Sequence, residues 1–174
     1  MILVLPAVLA VALGLLVGGR LERLARLSFR RVELVFIAFA IQIVAFPFPW
    51  LPWTTGDRLA VALWLVSFAI IGVVAWCNRH VVGVPIVAAG LASNVVAVGV
   101  NGGRMPALPS ALAAANEQYV ISNNSERVAS PHVSWLVDRW AVPEWLPVGN
   151  VYSVGDVLIA VGIVVVVVVA MGTG

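Results

Sequence analysis

Apolar residues fall along this chain in long unbroken runs instead of alternating or returning every third or fourth position. Five runs stand out, over residues 2–19, 32–50, 59–77, 81–100 and 154–171. Each approaches the roughly 20 mostly apolar residues that a helix needs to cross a bilayer. A more polar segment, 101–153, separates the fourth run from the fifth. The fifth contains six consecutive valines, Val164 to Val169. Periodicity alone allows a buried strand there. An isolated strand in lipid leaves its backbone groups unpaired, so the run is read as a lipid-facing helix. The pattern predicts an all-α, integral membrane bundle of five transmembrane helices forming one domain over 1–174. A short helical extracytoplasmic segment is expected between the fourth and fifth helices.

Composition supports the choice of solvent. Hydrophobic residues make up 62% of the 174 and charged residues 10%, with mean hydropathy +1.06. A soluble domain carries about a quarter charged residues, and one small core could not hide this much apolar surface. The first run has no charge ahead of it and its arginines come after, the reverse of a secretory signal. It is expected to stay in the protein.

Charge then orients the bundle. Arg20, Arg23, Arg26, Arg30 and Arg31 crowd the first connection, and Arg79 lies in the turn Asn78 to His80. Basic residues in short loops mark the cytoplasmic side, so the N-terminus is expected outside and the C-terminus inside. Leu21, Leu24 and Leu27 alternate with the arginines, which predicts an interfacial helix with guanidinium groups on lipid phosphates. Glu22 and Arg26 stand at i,i+4 and could pair. Trp50, Trp53, Trp135, Trp140 and Trp145 fall near the proposed outer boundary, where indoles prefer the headgroup layer. Gly14 with Gly18, and Ala88 with Ala92, have the small-x-x-x-small spacing that lets helices approach closely.

The outer segment offers the candidate chemistry. N-G-G-R-M-P, Asn101 to Pro106, reads as a helix stop, with Gly102 and Gly103 suited to a left-handed cap. Two short helices are expected beyond it. One has Ser110 as N-cap; the other has Ser130 as N-cap and Pro131 at its first position. Arg104, Asp156, His132 and Asn101 could gather into an outer-rim site for a small anion, with Asp156 as counter-charge and His132 as a proton-responsive neighbour. The structural alternative is that Asp156 forms a capping box with Ser153 and that Arg104 covers a helix end.

Absences narrow the function further. Within the spans only Gln42, Ser67, Ser93 and Asn94 are polar and away from the ends, whereas ion-driven carriers place charges near the midplane. The two histidines, His80 and His132, fall on opposite sides, and Cys77 is the only cysteine. No metal site and no cofactor are therefore expected. Hydrolase and Walker-type motifs are absent. A net charge of +2 argues against a nucleic-acid partner.

N-G-G-R-M-P after an apolar span, a polar segment with a histidine, and S-V-G-D (Ser153 to Asp156) before the last span resemble a family of uncharacterised bacterial multi-pass membrane proteins. The similarity runs over nearly the whole chain, with 115–127 departing from the pattern. It implies the bacterial cytoplasmic (inner) membrane and carries no activity with it. The expected function is non-enzymatic: an accessory or structural subunit of a membrane complex, or a binder of lipid or a small anion at the outer face. Expected partners are membrane lipids, other membrane subunits or a second copy. The alternative is a small oligomeric transporter or channel using Asn94, Arg104 and Asp156; a lipid-modifying enzyme with His132 as base ranks below it.

Overall fold

The structure, a computed structural model, describes residues 4–46, 55–115, 125–142 and 151–172. In chain order the elements are α1 (Val4–Leu16), α2 (Leu21–Leu24), α3 (Glu33–Ala45), α4 (Asp57–Cys77) and α5 (Val84–Val100). Then come β1 (Met105–Ala107), α6 (Pro109–Ala114), β2 (Ser125–Arg127), β3 (Trp140–Ala141), β4 (Val151–Tyr152) and α7 (Val154–Gly172). The chain is mostly helical, and five apolar helices fall on the five predicted runs.

Their lengths differ from the expectation. Among the described residues, only α4, over Arg58–Cys77, and α7 are long and apolar enough to cross a membrane; α1, α3 and α5 are apolar but shorter. At 1.5 Å per residue the 13 residues of α3 cover about 20 Å of a core roughly 30 Å thick. Its helix ends at Ala45, short of the predicted residue 50, because Pro47 disfavours helical geometry in the residue before it. Trp50 and Trp53 lie outside the described residues. The fourth run loses its start in the same way: the turn after Asn78 continues to Gly83, whose φ of +97° sets the helix going at Val84.

The helices pack as a series, α1 against α7, α7 against α5, α5 against α4, and α4 against α3. Alanines take many of the buried positions, alongside Trp64, Val98 and Met171, while many large apolar side chains face outward. Ala10, Ala38 and Ala97 are fully buried, whereas Leu16, Phe36 and Trp76 are 82%, 72% and 68% exposed.

The tightest contact, between antiparallel α5 and α7, is made by glycines spaced seven apart on both helices. A β-carbon on Gly83 would stand 2.6 Å from the Gly162 carbonyl oxygen, and one on Gly90 would stand 2.5 Å from that of Gly155. One on Gly162 would meet Val87 at 2.6 Å. Seven residues are nearly two helical turns, so each pair shares a face. The predicted small-residue pairs contribute less. Gly14 does pack on Met171, but its companion there is Gly19, while Gly18, with φ +84°, turns the chain and touches nothing. Ala92 is exposed.

One end of the bundle gathers the first connection, the 78–83 turn and the C-terminus of α7. Arg20 N–H donates to the Met171 carbonyl at 3.0 Å, and Arg23 Nη1 donates to the Gly172 carbonyl at 3.1 Å. The predicted interfacial helix shrinks to the four residues of α2, followed by turns. Among the described residues its ion pair is Arg31 with Glu33 at 3.9 Å, not Glu22 with Arg26.

The other end carries a cap that is not purely helical. β1 pairs in parallel with β2, Ala107 bridges Asp138, and β3 pairs antiparallel with β4. The helix expected from Ser130 does not form. Residues 132–136 make turns, Val133 adopts φ +52°, and Asp138 exchanges backbone bonds with Pro106 and Leu108. Pairing with β1 overrides the local capping signal. α6 does form, but its N-cap is Leu108 and Ser110 lies inside it, because Pro109 takes an opening position. Trp145 lies outside the described residues, and Trp140 stacks on Tyr152 with ring centroids 5.6 Å apart.

The α5–α7 contact gives the first prediction. Gly90→Ala should lower stability by about 1–3 kcal/mol through overpacking. Gly99→Ala, on the same helix with open space around it, should leave stability unchanged or raise it by roughly 0.5–1 kcal/mol. Thermal unfolding of both variants in one detergent checks the opposite signs.

Candidate functional site

The polar residues of the apolar helices do not converge on one cavity. They form separate clamps, each joining two pieces of backbone or two helices.

The first clamp lies where α7 begins. Asp156 N–H donates to Ser153 Oγ at 3.1 Å, and Ser153 N–H donates back to Asp156 Oδ2 at 3.0 Å. This reciprocal pair is a capping box with Asp in the third position. Asn94 of α5 joins it across the interface, its Nδ2 donating to Asp156 Oδ1 at 3.0 Å. Ser153 Oγ has two acceptors at 2.9 Å, Asn94 Oδ1 and Asp156 Oδ2, for one hydroxyl proton. Ser153 is fully buried and Asn94 is 8% exposed. A β-carbon on Gly155 would collide with the Asn94 amide, so the missing side chain is what lets Asn94 reach the carboxylate.

The second clamp joins α3 to α4. Gln42 Nε2 donates to Ser67 Oγ at 3.0 Å, and that hydroxyl donates to the Trp64 carbonyl at 2.7 Å. Ser93, by contrast, buries its Oγ with no hydrogen-bond partner among the described residues.

Two more clamps share one design. Asn101 closes α5: its Nδ2 donates to the Ala97 carbonyl at 2.7 Å and the His132 carbonyl at 3.0 Å, while His132 N–H donates to its Oδ1 at 2.8 Å. Asn78 closes α4 in the same manner. Its Nδ2 donates to the Val74 carbonyl at 2.8 Å and the Arg30 carbonyl at 2.9 Å, and Arg30 N–H donates to its Oδ1 at 2.8 Å. The amide reproduces the donor and acceptor of a peptide unit, so each pairs with a distant stretch as a strand would. Gly103 N–H then donates to the Val98 carbonyl at 2.9 Å, the 6→1 bond of a Schellman stop, with Gly102 at φ +81°.

The predicted anion site is therefore divided. Asn101 and His132 meet, but through the histidine's backbone, and the imidazole belongs to an exposed residue. Asp156 engages both oxygens with Asn94 and Ser153, and no Arg104–Asp156 ion pair occurs among the described residues. Arg104 is half-buried beside Met105 and engaged in its own interaction. Asn78 and Asp138 went unmarked in the sequence, although Asn78 is 1% and Asp138 4% exposed. Their partners lie far away in the chain, which no local pattern signals. Among the described residues no group of three or more His, Cys, Asp or Glu side chains could hold a metal ion.

A family model matches residues 26–168, nearly the whole of this framework. The chain belongs to the DUF5317 family. It is described as a family of unknown function. The chain is also similar to an "Uncharacterized protein" of Thermotoga maritima, with 28% identity over 160 residues covering 89% of this chain and 83% of that one. No solved structure matches. Family membership accordingly brings no ligand or reaction to these residues, and the geometry alone defines their roles.

Those roles can be measured. A double-mutant cycle on Asn94→Ala and Asp156→Ala should give a coupling of about 0.5–2 kcal/mol, the range of interhelical hydrogen bonds in membranes. The same cycle on Arg104→Ala and Asp156→Ala should give less than about 0.5 kcal/mol. Equal coupling in both cycles would restore the anion-site arrangement.

Proposed function

We propose that this is a non-enzymatic integral protein of the bacterial cytoplasmic membrane, serving as a structural or accessory component that holds lipid or partner helices against its outer helical surface. The observation that carries this reading is the extent of exposed apolar surface, with Leu16, Phe36 and Trp76 outside, around a helix contact made by glycines. In water, exposed apolar patches of this extent drive aggregation. In hydrocarbon they face a solvent as apolar as themselves, and close backbone packing through small residues is the force that remains between helices.

The same reading takes all five apolar helices as membrane-embedded, with the bilayer thinned around the shorter α1, α3 and α5. The end bearing Arg20, Arg23, Arg26, Arg30, Arg31 and Arg79 faces the cytoplasm, with six of the ten basic residues. The cap built on β1 to β4 lies outside, and the N-terminus is outside with it. The polar clamps support a scaffolding role: Asn94, Asp156, Gln42 and Asn101 are each engaged in holding the fold. A transport path through Asn94 and Asp156 would have to break those bonds, so the path-lining alternative draws no support from the geometry.

Orientation is tested with single cysteines in a Cys77→Ser background, using His80→Cys and Ser134→Cys, both at exposed positions. A membrane-impermeant maleimide should label the Ser134→Cys protein in intact cells and the His80→Cys protein only after permeabilisation. The reverse pattern would invert the topology. A protein monodisperse in buffer without detergent would end the membrane reading altogether.

A further inference from the structure

At the arginine-rich end the helices leave a crevice of about 400 Å³. It lies among α3, α4, α5 and α7, and the first connection covers it with Leu24, Leu27 and Phe29. Its deeper wall includes Val74, Val84 and Val166. Asn78 also borders it, but the Asn78 amide is wholly committed to Arg30 and Val74, so the crevice offers no free polar group of its own. An apolar void of about 150 Å³ already stays dry and takes up a hydrophobic guest. A space this much larger, unfilled, would forfeit the contacts of every side chain lining it.

The lining itself carries no charged side chain, but Arg26 precedes Leu27 in the chain and Arg30 follows Phe29, both of those lining residues. Arg26 and Arg30 are exposed, and among the described residues neither guanidinium has a hydrogen-bond or ion-pair partner. The Asn78 clamp fixes the Arg30 backbone at this spot, with bonds of 2.8 and 2.9 Å, and leaves its side chain uncommitted. Arg26 also borders a second, more polar recess of about 680 Å³ with Arg20, Glu22 and Arg23. An apolar crevice with two uncommitted arginines next in sequence to its lining matches one chemistry, an amphiphile with a hydrocarbon tail and an anionic head.

We propose that this crevice is a binding site for an anionic glycerophospholipid of the cytoplasmic leaflet, one acyl chain lying between α3 and α7 and the phosphate held by Arg26 and Arg30. The site rests on the membrane reading given above and deepens it by naming the lipid class and its residues. The lipid completes the packing between α3 and α7, which the helix series leaves apart. The connection containing α2 acts as the hinge of the site, leucines downward on the chain and arginines outward on the head.

The test is native mass spectrometry of the purified protein in detergent with added phosphatidylglycerol or phosphatidylcholine of identical chains. The wild type should retain one phosphatidylglycerol preferentially. Val35→Trp and Val167→Trp, which fill the crevice from its α3 and α7 walls, should each abolish retention of both lipids while circular dichroism stays unchanged. Arg26→Ala with Arg30→Ala should keep chain binding and lower the preference for phosphatidylglycerol by about 25-fold, at roughly fivefold per guanidinium. Retention unaffected by either tryptophan, or a preference unaffected by the arginine pair, overturns the site while the membrane reading stands. A copy of the chain in place of lipid, seen as a dimer lost in the tryptophan variants, would overturn it also. Failure of the membrane reading itself would show separately, as a protein soluble without detergent.

Discussion

The close approach of α5 and α7 is the constraint on which the other contacts depend. Four glycines, Gly83, Gly90, Gly155 and Gly162, bring two backbones nearer than any side chain would permit. With the helices in lipid, as proposed above, there is little hydrophobic gain from association, and van der Waals contact and hydrogen bonds supply the stability. The contact provides both. It removes the volume that would separate the helices, and it places Asn94 against the first turn of α7, where Asp156 accepts from its amide nitrogen and the Ser153 hydroxyl donates to its amide oxygen. It also sets the 78–83 turn against Val166, which defines one wall of the apolar crevice.

The two terminal asparagines solve a different problem. A helix end leaves carbonyls without partners, and a loop crossing it leaves peptide groups without partners. Asn78 and Asn101 answer both needs with one side chain, bonding a carbonyl four residues back and a remote peptide unit. Their backbone angles are alike, φ −111° and ψ 14° for Asn78 and φ −113° and ψ 29° for Asn101. Because one clamp fixes the arginine-rich connection and the other fixes the His132 loop, the ends of the bundle are held by the same device on opposite faces.

What could be read from the sequence follows from how local each signal is. The apolar runs located the five apolar helices, and N-G-G-R-M-P marked a stop that the Schellman bond at Gly103 makes concrete. The capping spacing of Ser153 and Asp156 is local too, and it forms. The glycine contact was legible as two pairs seven residues apart, yet the four-residue spacing drew attention to Ala88, Ala92 and Gly18 instead. The helix expected from Ser130 failed because β1, some thirty residues earlier, offers the backbone of Asp138 a better partner than helical hydrogen bonds do. Asn78 illustrates the limit. Nothing near it in sequence shows that Arg30, 48 residues away, completes it.

The distribution of satisfied polar groups then bears on function. At the capped end, the residues expected to form a site are committed elsewhere: Asp156 to Asn94 and Ser153, Asn101 to the His132 backbone, Arg104 to an interaction of its own. At the opposite end, Arg26 and Arg30 stand exposed and uncommitted beside an apolar space. A charged group whose valences are filled contributes to the fold; one held in place by its backbone, with its side chain open, is positioned for something outside the chain. That asymmetry moves the search for a ligand from the outer rim, where the sequence first suggested it, to the arginine-bearing end, where backbone order and side-chain freedom coincide.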